Sequence, residues 1–343
     1  MDKVDKTFLV TGAAGFIGAS LVNKLLRNKH KVIGIDNLNT YYDQDLKKSR
    51  LKEIQKTAEN NSSNWSFYEF SIEDNDKLSE IFKKHKPFGV INLAAQAGVR
   101  YSIENPSVYV QSNLVGFGNI LEQSRIHSIK NLIFASSSSV YGANDKLPFK
   151  ETDPVNHPVS LYAATKRSNE LLAHTYSHLY KIPCTGLRFF TVYGPWGRPD
   201  MAPIIFAKAI SSGKPIRVFN YGNMTRDYTF IEDITESIYR CCFKPASPLN
   251  ELKIDSSDPS KSLAPFRLFN IGNSNPIKLL KFIELLEKNL NLKAKKDFQP
   301  IQPGDVVDTF ADSKELQKWI NFTPKTSIEN GVELFVDWFK KYY

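Results

Sequence analysis

The chain reads as an α/β protein organised around a doubly wound parallel sheet, followed by a second, smaller region. Short apolar strands alternate with amphipathic helices, and Leu9, Val32, Phe67, Val90 and Leu132 each begin or sit in such a strand. The alternation breaks after Tyr193, where Pro195, Pro199 and Pro203 mark a departure from the pattern. The 343 residues are enough for two domains or one large α/β unit with a sizeable core.

The first strand, Phe8-Leu9-Val10, runs into Thr11-Gly12-Ala13-Ala14-Gly15-Phe16-Ile17-Gly18. A helical pattern follows through Leu21, Val22, Leu25 and Leu26. A strand, a glycine turn and a helix in that order make a phosphate site, because glycines let the backbone approach a diphosphate while the helix N-terminus offers free N–H groups. The second strand, Lys31-Val32-Ile33-Gly34-Ile35-Asp36, ends in a carboxylate 18 residues beyond Gly18. Asp36 is placed to accept adenosine ribose hydroxyls and to repel a 2′-phosphate, which favours NAD over NADP.

Farther on, Phe134-Ala135-Ser136-Ser137-Ser138-Ser139 is a strand that ends in hydroxyls, at the sheet edge where such folds bind ligands. Tyr162 and Lys166 then stand one turn apart on one helix face. Alone, that spacing is equally a helical tyrosine beside an exposed lysine. With Ser137 it reads as an acid/base group, since an ammonium and an oxidised nicotinamide would bring a phenol, ordinarily near pH ~10, towards working pH.

Composition narrows the class. The net charge of +9 is spread over pairs such as Lys47-Lys48, Lys83-Lys84 and Lys295-Lys296 without interleaved aromatics, which points to solvated helix faces rather than a nucleic-acid groove. His174 and His178 lie four apart with no third ligand in sight, so no metal is expected. Three cysteines, Cys184, Cys241 and Cys242, suit a reducing compartment. No apolar stretch reaches the ~18 residues of a membrane span and no secretory core precedes Phe8, so a soluble cytoplasmic protein is expected. The Pro/Ser/Asp-rich stretch from Lys244 to Pro265 is expected to be a long exposed loop.

These motifs together resemble an extended short-chain dehydrogenase/reductase, a Rossmann-like fold, and within it the UDP-glucuronate 4-epimerases. The glycine triplet falls on Gly12, Gly15 and Gly18, the catalytic hydroxyl on Ser137, and Tyr-x-x-x-Lys on Tyr162 and Lys166. The narrower resemblance rests on Asn92 to Arg100, on His157 to Tyr162, and on Leu187-Arg188-Phe189-Phe190-Thr191-Val192-Tyr193-Gly194-Pro195-Trp196-Gly197-Arg198-Pro199-Asp200-Met201. It implies an NAD-binding domain over residues 1–190 with segments returning near 228–245 and 266–290, the remainder of 191–343 forming a discontinuous nucleotide-sugar lobe. It adds cofactor contacts at Phe16, Ile17, Asn37, Ile72, Leu93, Ala94, Gln96, Asn113 and Phe189. Ser71 departs from the pattern, standing where relatives commonly carry an acidic residue against adenine.

On the substrate side the resemblance assigns the diphosphate to Arg226 and the uridine ribose to Asp305. The implied reaction is a redox cycle with no net oxidation. Tyr162 takes the C4 hydroxyl proton, hydride passes to NAD, the 4-keto sugar turns its other face, and hydride returns with C4 inverted. Ser137 bonds the reacting oxygen, and Lys166 holds the cofactor ribose. A 4-keto uronate loses carbon dioxide readily, so its carboxylate must be held; Ser138, Ser139 and Thr191 are the hydroxyls expected to do this, with Arg100 and Arg198 as cationic partners. The product, UDP-galacturonate, suits polysaccharide synthesis.

Three other readings stay open. A UDP-glucuronate decarboxylase or a dehydratase would carry an acidic residue where Ser138-Ser139 stand. A 4-epimerase of UDP-glucose or of UDP-N-acetylhexosamines and their uronates is compatible with small Thr309 at the expected sugar wall. A non-catalytic NAD-binding sensor would have no need of Ser137, Tyr162 and Lys166. Helices over about 107–124 and from Tyr162 to about Tyr180 resemble the pair through which relatives form homodimers.

Overall fold

In the computed structural model, which describes residues 5–249, 258–302 and 307–343, seven parallel strands form the central sheet. Across it run Phe266–Ile271, Cys184–Phe189, Asn131–Ser137, Gly89–Asn92, Thr7–Thr11, Lys31–Asp36 and Trp65–Glu69. The first strand, Thr7–Thr11, thus pairs with Lys31–Asp36 on one side and Gly89–Asn92 on the other. Strand order reverses there, which opens a crevice at the carboxyl ends. Thr11 holds its two lips: the hydroxyl donates to Asn92 Oδ1 at 2.6 Å and accepts from the Ala94 amide at 3.2 Å.

The double winding follows from strand periodicity. Phe8, Val10, Val32, Ile91 and Ile133 pack against the helices Phe16–Arg27 and Ile231–Cys242. Their neighbours Leu9, Ile33, Val90, Leu132 and Phe134 face the opposite way, onto Asn75–His85, Gly116–Ile126 and Leu161–Tyr180. Both faces of the inner strands are buried, so those strands are largely apolar, whereas the edge strand Trp65–Glu69 is half-exposed.

The helix Leu161–Tyr180 starts where the Ser160 hydroxyl accepts from the Ala163 amide at 3.1 Å and ends at left-handed Lys181. Its buried positions include Ala163, Lys166, Glu170, Ala173 and Ser177, one stripe at helical spacing that carries two charges into the interior. The expected helix over 107–124 spans Pro106–Tyr109, a π-helical stretch Val110–Val115 and Gly116–Ile126. Asn113, in the π stretch, explains its use: the side chain accepts from the Gln96 amide at 2.8 Å and donates to the Gln96 carbonyl and the Thr165 hydroxyl, both at 3.0 Å.

Beyond the sheet, Thr225–Phe230 is the centre of a second sheet, parallel to Thr191–Tyr193 and Asp308–Thr309 and antiparallel to Pro276–Lys278. The helices Ala202–Ser211, Leu279–Leu290 and Ile328–Tyr342 supply Ile204, Phe282 and Phe335 to the same apolar cluster that backs the main sheet. One core therefore runs through both regions.

The stretch from Lys244 to Pro265 has no helix among its described residues, yet it is not simply exposed. Ala246, Ser260 and Ala264 are buried. The Ser260 carbonyl accepts from the Leu268 amide at 3.0 Å and the Pro265 carbonyl from Cys184 at 2.9 Å, so the segment is sewn to the sheet edge. No helix among the described residues is long and apolar enough to cross a membrane.

Candidate active site in the sheet crevice

The glycine turn is built for close approach. Gly12 has φ +70°, and a Cβ on it would lie 2.8 Å from the Ala94 nitrogen; a Cβ on Gly18 would lie 2.0 Å from the Gly12 carbonyl oxygen. The helix Phe16–Arg27 then opens at Gly15, with no capping side chain and no acidic residue in its first turn. A diphosphate meets open N–H groups there and no repelling carboxylate. Asp36 accepts from the Ala14 amide at 3.0 Å with one oxygen and from Leu38 at 2.9 Å with the other. Burial pushes its carboxyl above the ordinary value, while those amides and the cations Lys47 and Arg50 pull it back. These features fit a dinucleotide.

Beyond Asp36, Asn37 donates to the Ser71 hydroxyl at 3.2 Å, and Ser71 donates to Glu73. Ser112 donates to the other Glu73 oxygen at 2.6 Å. The carboxylate missing at position 71 is thus present two residues on, and Glu73 lines the cleft with Ile72.

Farther along the crevice Lys166 Nζ donates to the Ala135 carbonyl at 2.9 Å and lies 6.0 Å from the centre of the Tyr162 ring. Burial lowers its ammonium to about 8. Burial also raises the Tyr162 phenol, against which the neighbouring Ser137 hydroxyl and the Arg198 charge act downward. Arg198 grips Asp200 with two nitrogens, and Tyr41 donates to the same carboxylate at 3.0 Å. Burial by itself works against the Arg198 charge, but pairing with Asp200 raises its pKa overall.

The cleft is lined by Gly12, Gly15, Phe16, Ile17, Gly18, Asp36, Asn37, Ile72, Leu93, Ala94, Gln96, Ser137, Ser138, Tyr162, Lys166, Phe189, Thr191 and Arg198. Five residues expected at the site, Asn113, Ser139, Arg100, Arg226 and Thr309, are not among those lining the cleft. Asn113 stands behind the wall and holds Gln96 in place. Ser139 follows the chain into a 3₁₀ turn, where its amide donates to Ser137 Oγ at 3.2 Å and its hydroxyl accepts from Ser137 at 3.1 Å, so it orients that hydroxyl. Arg100 is exposed, its guanidinium 5.3 Å from the Phe219 ring centre. Arg226 donates to the carbonyls of Thr225 and Val307, at 2.9 and 2.7 Å. Thr309 pairs with Arg226 in the second sheet. Asp305 lies outside the described residues.

Tyr41, Lys47 and Asp200 line the cleft without having been singled out. Lys47 is buried, its ammonium donating to Asn39 O and Oδ1 at 2.7 and 2.8 Å, so only Lys48 of that pair is a solvated lysine. The signal for Lys47 was its place beside Leu46, Arg50 and Ile54 on the buried side of an amphipathic helix. For Asp200 it was the two-residue distance from Arg198. His174 bonds Ser262 at 3.1 Å, and among the described residues no cluster of three or more His, Cys, Asp or Glu is placed to hold a metal ion.

A family model described as GDP-mannose 4,6 dehydratase matches residues 9–335. The chain belongs to the extended short-chain dehydrogenase/reductase family. It is 54% identical to Protein CapI of Staphylococcus aureus over 335 residues, 98% of each chain. It is 44% identical to the probable UDP-glucuronate 4-epimerase of Rhizobium meliloti strain 1021, covering 98% of this chain and 97% of that one. Among solved structures, the Bacillus cereus UDP-glucuronic acid 4-epimerase in complex with UDP-glucuronic acid and NAD superposes with a TM-score of 0.85 at 32% identity, over 98% of this chain and all of that one.

Proposed function

We propose that the protein is an NAD-dependent 4-epimerase that converts UDP-glucuronate to UDP-galacturonate. The observation that carries the reading is the convergence of Ser137, Tyr162 and Lys166 on one cleft with Ser138, Thr191 and Arg198, in a family whose relatives include named UDP-glucuronate 4-epimerases. The glycine turn and Asp36 would hold the cofactor's diphosphate and ribose. When bound, NAD supplies a reversible hydride acceptor and, oxidised, a positive charge near the phenol. Tyr162 takes the proton from the C4 oxygen and gives it back after inversion. Ser137 donates to that oxygen, and Lys166 favours the phenolate. Thr191 and Ser138 hold the C5 carboxylate, with Arg198 as its nearby positive charge. The segments 1–190, 228–245 and 266–290 serve the cofactor, and the rest of 191–343 the nucleotide sugar.

The cells' use of the product would be polysaccharide synthesis. The assembly would be a homodimer, because Val108, Val110 and Val115 on one helical run, and Leu171, Leu179 and Tyr180 on the other, leave apolar surface exposed. Light scattering should give about twice the 39.0 kDa chain mass.

The test is a panel of UDP-glucuronate, UDP-glucose and UDP-N-acetylglucosamine with carbon dioxide measured in parallel. UDP-galacturonate from the first, without carbon dioxide, is expected. Tyr162→Phe should lose at least ~10²-fold in turnover and retain NAD. Pentose and carbon dioxide as the main products would make the protein a decarboxylase, and bound NAD with no conversion of any sugar would make it a sensor.

A further inference from the structure

One turn beyond Lys166, on the face that carries Tyr162 and Lys166, stands Glu170, which the chemistry above leaves unused. It is 1% exposed. Its carboxylate gathers partners from three elements. Arg188, in the strand Cys184–Phe189, donates through Nε at 2.8 Å and Nη2 at 2.9 Å, a buried two-point grip. Ser136, at the end of Asn131–Ser137, donates at 2.6 Å, and Arg167 of the same helix donates at 2.9 Å. Arg188 goes on to Tyr141 at 3.0 Å, and Tyr141 to Asn270 at 2.7 Å.

Ser136 immediately precedes Ser137. The helix with Tyr162 is therefore tied to the strand with Ser137 at two successive residues: by Lys166 to the Ala135 carbonyl and by Glu170 to the Ser136 hydroxyl. Lys166 is the cation that the reaction needs. Glu170 is free of that duty, and its two oxygens are fully engaged.

We propose that Glu170, through Ser136 and Arg188, is a positioning residue for the acid/base group: it sets the separation of the Tyr162 and Ser137 hydroxyls. This rests on Tyr162 being the acid/base of the proposed epimerase. Four groups face the Tyr162 side chain: Ser137 from the strand end, Arg198 from the loop after Tyr193, Lys166 from its own helix, and the Tyr109 ring at 6.1 Å. Ser137 and Lys166 are each adjacent in sequence to a partner of Glu170, Ser136 and Arg167, and Ser136→Ala isolates the first of these paths. A hydroxyl held close to the phenol favours the phenolate, so loosening Glu170 raises the pH at which Tyr162 ionises.

The experiment uses the NAD-loaded protein and the variants Glu170→Gln and Ser136→Ala. The tyrosinate absorbance of each is titrated against the same protein carrying Tyr162→Phe, which isolates one phenol without any turnover. Expected is an upward shift of the Tyr162 midpoint by about half a pH unit or more in both variants, with Glu170→Asp restoring part of it. With UDP-glucuronate, kcat at neutral pH should fall about tenfold while KM holds, and the acid limb of the kcat profile should move upward with the titration. An unmoved midpoint in a folded variant, even one of reduced thermal stability or activity, would make Glu170 a structural residue and overturn the proposal. If Glu170→Gln does not fold, Ser136→Ala, which deletes a single hydroxyl, decides by the same titration. A wild type inert towards UDP-glucuronate would remove the substrate reading, and the absorbance titration would still decide the role of Glu170.

Discussion

Arg50 holds the Trp196 carbonyl with two nitrogens, Nε at 3.1 Å and Nη2 at 2.6 Å, across 146 positions of sequence. The same guanidinium donates to the Ala14 carbonyl at 3.0 Å, to the Tyr42 hydroxyl at 2.7 Å and to the Gly197 carbonyl at 3.1 Å. One side chain, 1% exposed, thus joins the glycine turn to the loop that presents Arg198. Trp196 is clasped from the other side by Trp338 and Tyr342 of the last helix, at ring separations of 5.4 and 5.0 Å. A compact ammonium cannot reproduce this fork. Arg50→Lys should therefore weaken both NAD retention and UDP-sugar affinity, and cost about 3 kcal/mol of stability from orphaned buried acceptors. Calorimetry of each ligand and a thermal melt check this; a change confined to one ligand would show that the two sites are not joined through Arg50.

Asp36 is the next target, because Lys47 alters what its removal exposes. The carboxylate faces a buried ammonium that also lines the cleft. In Asp36→Ala a 2′-phosphate would meet that cation in place of a carboxylate, so the preference for NAD over NADP should shrink. The Ala14 and Leu38 amides lose their acceptor at about 1–3 kcal/mol. Binding of both dinucleotides to cofactor-stripped wild type and variant measures the outcome; equal affinities in the wild type would refute the role given to Asp36.

What could be read in the sequence was what chain-local spacing encodes. Gly12, Gly15 and Gly18, the Tyr162 to Lys166 interval and the strands around Leu9, Val32 and Leu132 need only neighbours in sequence to be recognised. Arg50 and Lys47 were hidden because a cation on a polar helix ordinarily faces water, and their acceptors, Trp196, Ala14 and Asn39, meet them only after folding. Ser139 was misplaced for a smaller reason. A run of four serines gives no sign of which hydroxyl the 3₁₀ turn will direct inward to Ser137.

Glu151 makes stability fall as pH rises. It is buried, and burial moves its carboxyl from 4.5 to about 7, although the Asn270 amide, which donates to it at 2.8 Å, and the Arg188 charge favour the anion. Below pH 4.5 the folded and unfolded chains both hold the proton. Between 4.5 and about 7 only the folded chain does, so stability is lost as pH climbs through that window and is level above it. The loss is of the order of 3 kcal/mol. Glu151→Gln keeps an acceptor for the Asn270 amide and cannot ionise. Its melting temperature relative to wild type should therefore improve from pH 5 to pH 8; a difference independent of pH would remove Glu151 as the source.

Thr191 tests whether the site retains a carboxylate. It begins the strand that leaves the main sheet, in register with Tyr228, and lines the cleft with Ser138. Thr191→Val preserves the branched shape and deletes one hydroxyl, worth about 1.5–3 kcal/mol against a charged group. UDP-glucuronate should bind more weakly by roughly tenfold or more, since each 1.4 kcal/mol is a factor of ten. The released carboxylate gains access to the geometry in which the C5–carboxylate bond aligns with the 4-ketone, so a larger share of turnovers should end as pentose and carbon dioxide. UDP-glucose, with no carboxylate to hold, should change little. The decisive quantity is the ratio of carbon dioxide to epimer in variant and wild type: if both it and the uronate affinity stay put, Thr191 is a structural hydroxyl, and the hold on the uronate must come from Ser138 and Arg198.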